Sequence, residues 1–348
     1  MKSIVFTGGG TAGHIMPNIA IIKELIGNYN IYYIGSNGME KEIVSRYPEI
    51  KFLEIPSVKF RRSLTPKNLL IPFKLAKAIT IAKKHLRLIS PSLIFSKGGY
   101  VSLPTCIAGK QLHIPVITHE SDMTLGLANK IIAHFADKVC CSFESTTQGK
   151  EKYIHTGSPI RQEIIKGNKY IVLQRHNIHN NLPNILVVGG SLGATTINRV
   201  IRESLSLLKG YNIFHITGKG NIDNAIHSSN YHQLEFATDI ENYMAAADVC
   251  ISRAGSNAIF ELLATRTPMI LIPLPKTTAS RGDQVDNAEY FKSKHFATVI
   301  PQDTLSPDTL INNIKQTLSK HNFYVSHMNK SSNSIGNHTI INIMKEYL

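Results

Sequence analysis

The sequence predicts an α/β protein made of two Rossmann-like units, and three observations predict it. Short apolar runs alternate with helical patterns along the chain, as in doubly wound parallel sheets. Two of those runs, Ile4-Val5-Phe6 and Ile185-Leu186-Val187-Val188, pass directly into glycine turns. The length, 348 residues, suits two domains of about 150 residues each.

In the first half strands are expected at 3–7, 31–34, 51–55, 93–96, 115–119, 138–142 and 153–156. Helical patterns fall near 17–27, 38–47, 67–88, 102–112 and 124–135. The second half restarts the same device at Asn184, with a helix from Ala194 to Leu208 and strands at 212–216, 248–252, 269–273 and 297–300. Two domains are expected, 1–160 and 161–331, with the joint in the polar stretch around 160–183. Ile340, Ile341, Ile343 and Met344 mark a final amphipathic helix, within 332–348, that packs back on the first domain.

Apolar residues make up 43% of the chain, enough for buried cores and against wholesale disorder. MKSIVFTGG has no apolar leader and reads as a first strand, and no run approaches the length of a membrane span. Cys106, Cys140, Cys141 and Cys250 show no C-x-x-C spacing, which fits buried thiols in a reducing compartment. The histidines show no zinc spacing, so no metal ligands are expected. The net charge of +14 is uneven: residues 1–162 hold 21 Lys/Arg against 10 Asp/Glu, and residues 163–348 hold 17 against 14. A negatively charged partner is therefore expected on the first half.

The first turn, Gly8-Gly9-Gly10-Thr11-Ala12-Gly13-His14, contains G-x-G-x-x-G. A dinucleotide site also needs an acid ending the second strand, to hold the ribose. That strand ends Ile31-Tyr32-Tyr33-Ile34-Gly35-Ser36, with Glu40 beyond the turn, so the acid is missing. His14 stands where a Walker loop requires Lys. What remains is a helix start that pairs backbone N–H groups with an imidazole, which suits an oxygen-rich ligand.

In Ile251-Ser252-Arg253-Ala254-Gly255-Ser256-Asn257-Ala258-Ile259-Phe260-Glu261 a strand ends, Gly255 turns, and Ser256 is placed to cap a helix. Such an N-terminus suits a diphosphate, and Glu261 farther along can accept from a ribose diol. Gln284 and Asn287 follow the next strand as amides able to meet sugar hydroxyls.

GGGTAGH (8–14), SKGGYVSLP (96–104), HESD (119–122), TGSPIR (156–161), GGSLG (189–193), SRAGSNAIFE (252–261) and DQVDNA (283–288) together resemble the MurG family, the UDP-N-acetylglucosamine:lipid I N-acetylglucosaminyltransferases of peptidoglycan synthesis. The resemblance runs in order over nearly the whole chain. It implies the glycosyltransferase B architecture, two Rossmann-like domains facing a cleft. It implies that UDP-N-acetylglucosamine lies mostly on the second domain, with uracil near Phe236 and Ala237 and the ribose on Glu261. Ser191, Gly255, Ser256 and Asn257 would hold the diphosphate with Arg161 nearby, Gln284 would meet the sugar, and Thr11, Ala12 and Gly13 match the family's glycine-loop contacts. Where the family often has H-E-Q-N this chain has HESD, so Asp122 replaces an amide that contacts the sugar.

The resemblance also implies inversion. The C4 hydroxyl of the muramyl sugar of lipid I attacks the anomeric carbon, and UDP leaves. His14 is the leading base, since an unperturbed imidazole titrates at about 6.5, and Glu120 is its rival. The chain has no D-x-D pair; the nearest, Asp239-Ile240-Glu241, reads as a helix start, so no catalytic metal or other cofactor is expected. Lys59 to Leu88 contains nine Lys/Arg and no Asp/Glu beside an apolar cluster. Arg61, Arg62, Lys67, Leu70, Phe73, Lys74 and Lys77 are the expected contacts to anionic lipid, at the cytoplasmic face of the cell membrane. A transferase acting on another membrane glycolipid, a nicotinamide-dependent oxidoreductase and a basic adaptor are the competing readings. Nucleic acid is not an expected partner, since no stacking motif for RNA is evident.

Overall fold

A computed structural model of the chain describes residues 1–57, 71–190, 193–277, 281–331 and 335–348. Arg61, Arg62, Lys67, Leu70 and Ser191 lie outside the described residues. The chain divides into two compact units, Met1–Arg161 with Ile335–Leu348, and Gln162–Ser334.

The first unit contains β1 (Ser3–Thr7), α1 (Ala12–Leu25), β2 (Asn30–Gly35), α2 (Met39–Val44), β3 (Ile50–Glu54), α3 (Ile71–Ile89), β4 (Leu93–Ser96), α4 (Ser102–Gln111), β5 (Val116–Glu120), α5 (Leu127–Phe135), β6 (Lys138–Cys141) and β7 (Tyr153–His155). Its strands pair in parallel in the order β3-β2-β1-β4-β5-β6-β7. Strands buried on both faces read as continuous apolar runs, which is why Leu93-Ile94-Phe95 is legible without alternation.

The second unit contains α6 (Lys169–Arg175), β8 (Asn184–Val188), α7 (Thr195–Glu203), β9 (Asn212–Ile216), β10 (Tyr231–Leu234), α8 (Ile240–Ala246), β11 (Val249–Ser252), α9 (Ser256–Ala264), β12 (Met269–Leu271), α10 (Asp283–Ser293), β13 (Ala297–Val299), α11 (Pro307–Ser319) and α12 (His321–Asn329). The sheet order is β10-β9-β8-β11-β12-β13, again all parallel. The edge strand β10 was not legible in the sequence, because Tyr231-His232-Gln233-Leu234 lacks an apolar run.

The last helix, α13 (Asn337–Lys345), belongs to the first unit. Ile340, Ile341, Ile343 and Met344 enter the core that α1 and α2 form on one face of the first sheet, with Ile15, Ile19, Ile22 and Val44. On the other face α3, α4 and α5 bury Ala82, Leu86, Leu103, Cys106 and Ile132. Asn337 fixes the joint. It is buried, its Oδ1 accepts the Ile160 N–H at 2.8 Å, and its Nδ2 donates to the Ile160 carbonyl at 2.9 Å and to Glu24. All four cysteines are buried free thiols.

One helix starts earlier than the periodicity suggests. α1 begins at Ala12 and carries Pro17 inside it. Thr11 holds the extended N-cap conformation, so Gly13 and His14 lie in the first turn of the helix.

In the second unit His215 is fully buried. Its Nδ1 accepts from the Tyr231 hydroxyl at 2.8 Å and its Nε2 donates to Asn198 Oδ1 at 3.0 Å. Burial, and then the Arg202 charge, pushes this imidazole down from 6.5 to about 3. The unfolded chain takes up that proton near 6.5 and the folded one only near 3. The stability supplied by the neutral ring is therefore complete above pH 6.5 and drains as pH falls through that window.

Two outcomes are expected. Asn337→Ala strands a buried N–H and carbonyl of Ile160 and lowers the unfolding free energy of the first unit by about 2–4 kcal/mol, read by urea denaturation. The midpoint of the second unit falls as pH is lowered from 6.5 toward 4, and His215→Gln flattens that slope.

Candidate functional site

In a doubly wound sheet, ligands collect at the carboxyl ends of the strands, where neighbouring strands send their connections in opposite directions. That point lies between β1 and β4 in the first sheet, and between β8 and β11 in the second. Four of the seven sequence motifs follow these strands: 8–14 after β1, 96–104 at the end of β4, 189–193 after β8 and 252–261 at the end of β11.

In the first unit the two turns interlock. Gly99 takes φ +81°, and a Cβ there would lie 2.5 Å from the Gly9 carbonyl oxygen and 3.1 Å from His14 Cδ2. Only glycine permits both the left-handed backbone and the approach. His14, half-buried, places Nδ1 3.2 Å from the Lys97 carbonyl oxygen. A carbonyl only accepts, so Nδ1 carries the proton and the lone pair of the neutral ring is on Nε2.

Glu40 explains why the glycine turn is not a dinucleotide loop. Its buried carboxylate accepts from Ser36 N at 2.9 Å and from the Ser36 hydroxyl, and Gly10 N approaches at 3.4 Å. A Cβ on Gly9 would meet that carboxylate at 2.8 Å. The acid that follows β2 is thus sealed beneath the turn, where its charge opposes a diphosphate.

Glu120, at the end of β5, is 5% exposed. Oε1 accepts from Asp122 N at 3.0 Å, and Oε2 from Gly126 N and Asn129 Nδ2, both at 2.9 Å. Burial, and then Asp122, pushes this carboxyl up, while the three N–H donors pull it down. The carboxylate is spent on organising residues 120–129. Asp122 itself is half-buried on that loop.

Lys97 was missed in the sequence, although a lysine closing the buried run Leu93-Ile94-Phe95-Ser96 was its signal. It is 1% exposed, and Nζ donates to the Ser121 hydroxyl. Burial pushes its ammonium down to about 8, against the pull of Glu120 and then Asp122. One residue thus braces three strand ends: its carbonyl holds His14, its side chain holds Ser121, and its N–H donates to the Thr7 carbonyl at 2.9 Å.

In the second unit Gly193 takes φ +75° and passes so close to Thr217 that a Cβ would sit 2.1 Å from its carbonyl oxygen. At the end of β11 the sequence expectation needs correction. Gly255, not Ser256, is the N-cap of α9, and Ser256 is the first helical residue and buried. No side chain caps this helix start, and a Cβ on Gly255 would meet nothing within 4 Å. The first turn, with Ser256 and half-buried Asn257, therefore offers backbone donors beside open space. Glu261 lies farther along α9, half-buried.

Of the two amides after β12, only one remains near the surface. Asn287 is fully buried and donates to the Ala254 carbonyl at 3.2 Å, so it supports the β11 turn and is not placed to meet a sugar. Gln284, half-buried in the first turn of α10, accepts from Leu274 N at 2.9 Å through Oε1. Phe236 is 66% exposed beside buried Ala237. Arg161, half-buried, ends the first unit. Asp239 is the N-cap residue of α8, but its carboxylate pairs with Arg175 at 2.8 Å, which holds it below its ordinary range. Thr11, at the N-cap of α1, is exposed, and Ala12 and Gly13 open that helix half-buried.

On α3 the buried stripe is Ala78, Ala82 and Leu86, and Phe73 is 75% exposed with Lys74 and Lys77 beside it. No helix of the described residues is long and apolar enough to cross a membrane.

The glycosyltransferase family 28 N-terminal domain matches residues 4–141, and the family 28 C-terminal domain matches residues 184–343. The chain is 43% identical, over 99% of its length and 100% of the relative's, to the "UDP-N-acetylglucosamine--N-acetylmuramyl-(pentapeptide) pyrophosphoryl-undecaprenol N-acetylglucosamine transferase 2" of Bacillus thuringiensis. It is 42% identical to the corresponding transferase of Clostridium botulinum, over 100% of this chain and 99% of that one. Among solved structures, MurG of Acinetobacter baumannii superposes with a TM-score of 0.76 at 23% identity, covering 99% of this chain and 100% of that chain. A glycosyltransferase of kitacinnamycin superposes at 0.79 and 12% identity, with 99% of each chain covered. These likenesses identify the fold as glycosyltransferase B.

Glu120→Ala is expected to leave three loop donors stranded and to lower the stability of the first unit by about 3–5 kcal/mol in denaturant titrations, whereas Glu120→Gln retains most of it.

Proposed function

We propose that this chain, which belongs to the MurG family of glycosyltransferases, transfers N-acetylglucosamine from UDP-N-acetylglucosamine to the C4 hydroxyl of the N-acetylmuramyl sugar of lipid I, with inversion, giving lipid II for peptidoglycan synthesis. The observation that carries the reading is end-to-end identity of 43% with a transferase of that activity, with four of the seven motifs at the two strand crossover points.

The second unit binds the donor. The N–H groups opening α9 at Ser256 and Asn257 receive the diphosphate, Gly255 keeps the approach open, Arg161 adds a positive charge and Ser191 a hydrogen-bond donor. Glu261 accepts from the ribose hydroxyls, backbone groups at Ala237 meet uracil, and Gln284 meets the sugar through its amide. Thr11, Ala12, Gly13 and Asp122 are the remaining donor contacts of this reading, at the positions that match the family's motifs.

In the reaction the acceptor oxygen forms a bond to the anomeric carbon as the bond to the diphosphate breaks. The hydroxyl proton passes to His14 Nε2, and the electron pair of the broken bond leaves with UDP. The tautomer held by the Lys97 carbonyl supports His14 as the base, and the filled hydrogen bonds of Glu120 favour a positioning role for it. Backbone donors and Arg161 stabilise the leaving diphosphate without a metal. Anionic lipid meets the basic face that includes Phe73, Lys74 and Lys77, together with Arg61, Arg62, Lys67 and Leu70. The protein then works as a peripheral enzyme at the cytoplasmic face of the membrane, with no nucleic-acid partner.

The test incubates the protein with labelled UDP-N-acetylglucosamine and lipid I, with and without EDTA. Label in the lipid, undiminished by EDTA, is the expected result, and no label in lipid overturns the reading. His14→Ala should lower kcat about 10²–10⁴-fold while donor KM stays near wild type. Glu261→Ala should raise donor KM by about tenfold or more, with the smaller effect on kcat.

A further inference from the structure

A cavity of about 630 Å³ opens on the first unit away from the turns described above. Lys130, Ala133, His134, Lys138, Lys150, Glu151, Lys152 and Tyr153 line it. Lys138 and Tyr153 are the first residues of β6 and β7, and His134 lies in the last turn of α5. The cavity therefore sits at the amino-terminal edge of the sheet, opposite the edge that carries His14.

Four ammonium groups and an imidazole share this space with one carboxylate, Glu151. Two of the ammoniums are held in place by neutral acceptors. Lys152 Nζ donates to the carbonyls of His134 at 3.2 Å and Ala136 at 3.4 Å. Lys150 Nζ donates to the Thr146 carbonyl at 3.4 Å and lies 4.5 Å from the centre of the Tyr153 ring. Carbonyls and a ring position a cation without cancelling its charge. Among the described residues no carboxylate forms an ion pair with Lys130, Lys138, Lys150 or Lys152. His134 gives Nδ1 to the Lys130 carbonyl at 2.7 Å, which directs the ring.

We propose that this cavity is a binding site for a multiply charged phosphate group, separate from the donor and acceptor sites. Clustered like charges repel one another, and an anion carrying two or more charges relieves that repulsion. Lysines act as compact point charges that phosphate oxygens accept from in several directions, whereas a single carboxylate balances only one of them. The source is a phosphorylated small molecule in solution or the head group of an anionic lipid.

The experiment uses the full chain saturated with UDP, so that the proposed donor site is occupied. Tripolyphosphate is titrated calorimetrically, and in a second arm the protein is sedimented with phosphatidic acid vesicles, whose phosphomonoester head group can carry two charges, or with phosphatidylcholine vesicles. Lys130→Gln and Lys138→Gln are each expected to weaken the anion by about fivefold, and more together, with transferase activity retained. Loss of tripolyphosphate binding in the double variant assigns the site to soluble phosphates. Loss of phosphatidic acid binding alone assigns it to a head group. Unchanged affinity for both probes in a double variant that melts like wild type overturns the proposal. Lys130 is exposed, so Lys130→Gln alone carries the test if the double variant fails to fold.

Discussion

The close approach of two glycine turns governs the chemistry available to the first unit. The backbone at Gly99 meets the Gly9 carbonyl at a distance that no side chain permits, and this contact brings the Lys97 carbonyl to His14. The consequence is chemical as well as steric. An imidazole bonded to a carbonyl carries its proton on that side, so the opposite nitrogen holds the lone pair. The parallel register of β1 and β4, with Phe6 beside Phe95 and Thr7 beside Ser96, delivers both turns to the same edge.

Buried polar groups hold this edge together, and each belongs to a different loop. Glu40 closes the turn after β2 onto the glycines, Lys97 reaches Ser121, and Glu120 gathers the loop that follows it. A buried carboxylate or ammonium is tolerated only when its hydrogen bonds are filled. Each also specifies its geometry, because an alternative loop path would leave it stranded. Asn337 works the same way on one face of the first sheet, where it joins the last helix to Ile160. The chain leaves the first unit at Arg161 and returns to it at Ile335, so the unit is completed only by its last fourteen residues.

Charge divides along the same lines as architecture. The first half carries the basic surplus, and part of it lies on α3, whose apolar stripe of Ala78, Ala82 and Leu86 faces the core. The five basic residues of that helix are left for the remaining surface. The second unit is closer to neutral, and its helix α9 opens on backbone donors that no side chain caps. The contrast accords with the proposed division of labour, in which directional donors hold the nucleotide and diffuse positive charge meets anionic lipid.

The sequence by itself determined the two parallel sheets, most strand positions, the returning last helix and the family, because buried strands and glycine turns leave local signatures. Fully apolar runs, left-handed glycines and an ordered set of motifs are visible one segment at a time. Only the tertiary structure decided what each polar side chain does. Asn287 and Gln284 stand three residues apart in one motif, yet one is buried beneath the β11 turn and the other is half-buried. Ser256 looked like a cap and is the first helical residue, and Glu120, the rival to His14 as base, accepts three hydrogen bonds from its own loop. Lys97 went unnoticed because its partners, His14 and Ser121, are 83 and 24 residues away. Local patterns report burial and backbone shape, whereas a hydrogen-bond partner distant in sequence is fixed only when the sheets and helices pack.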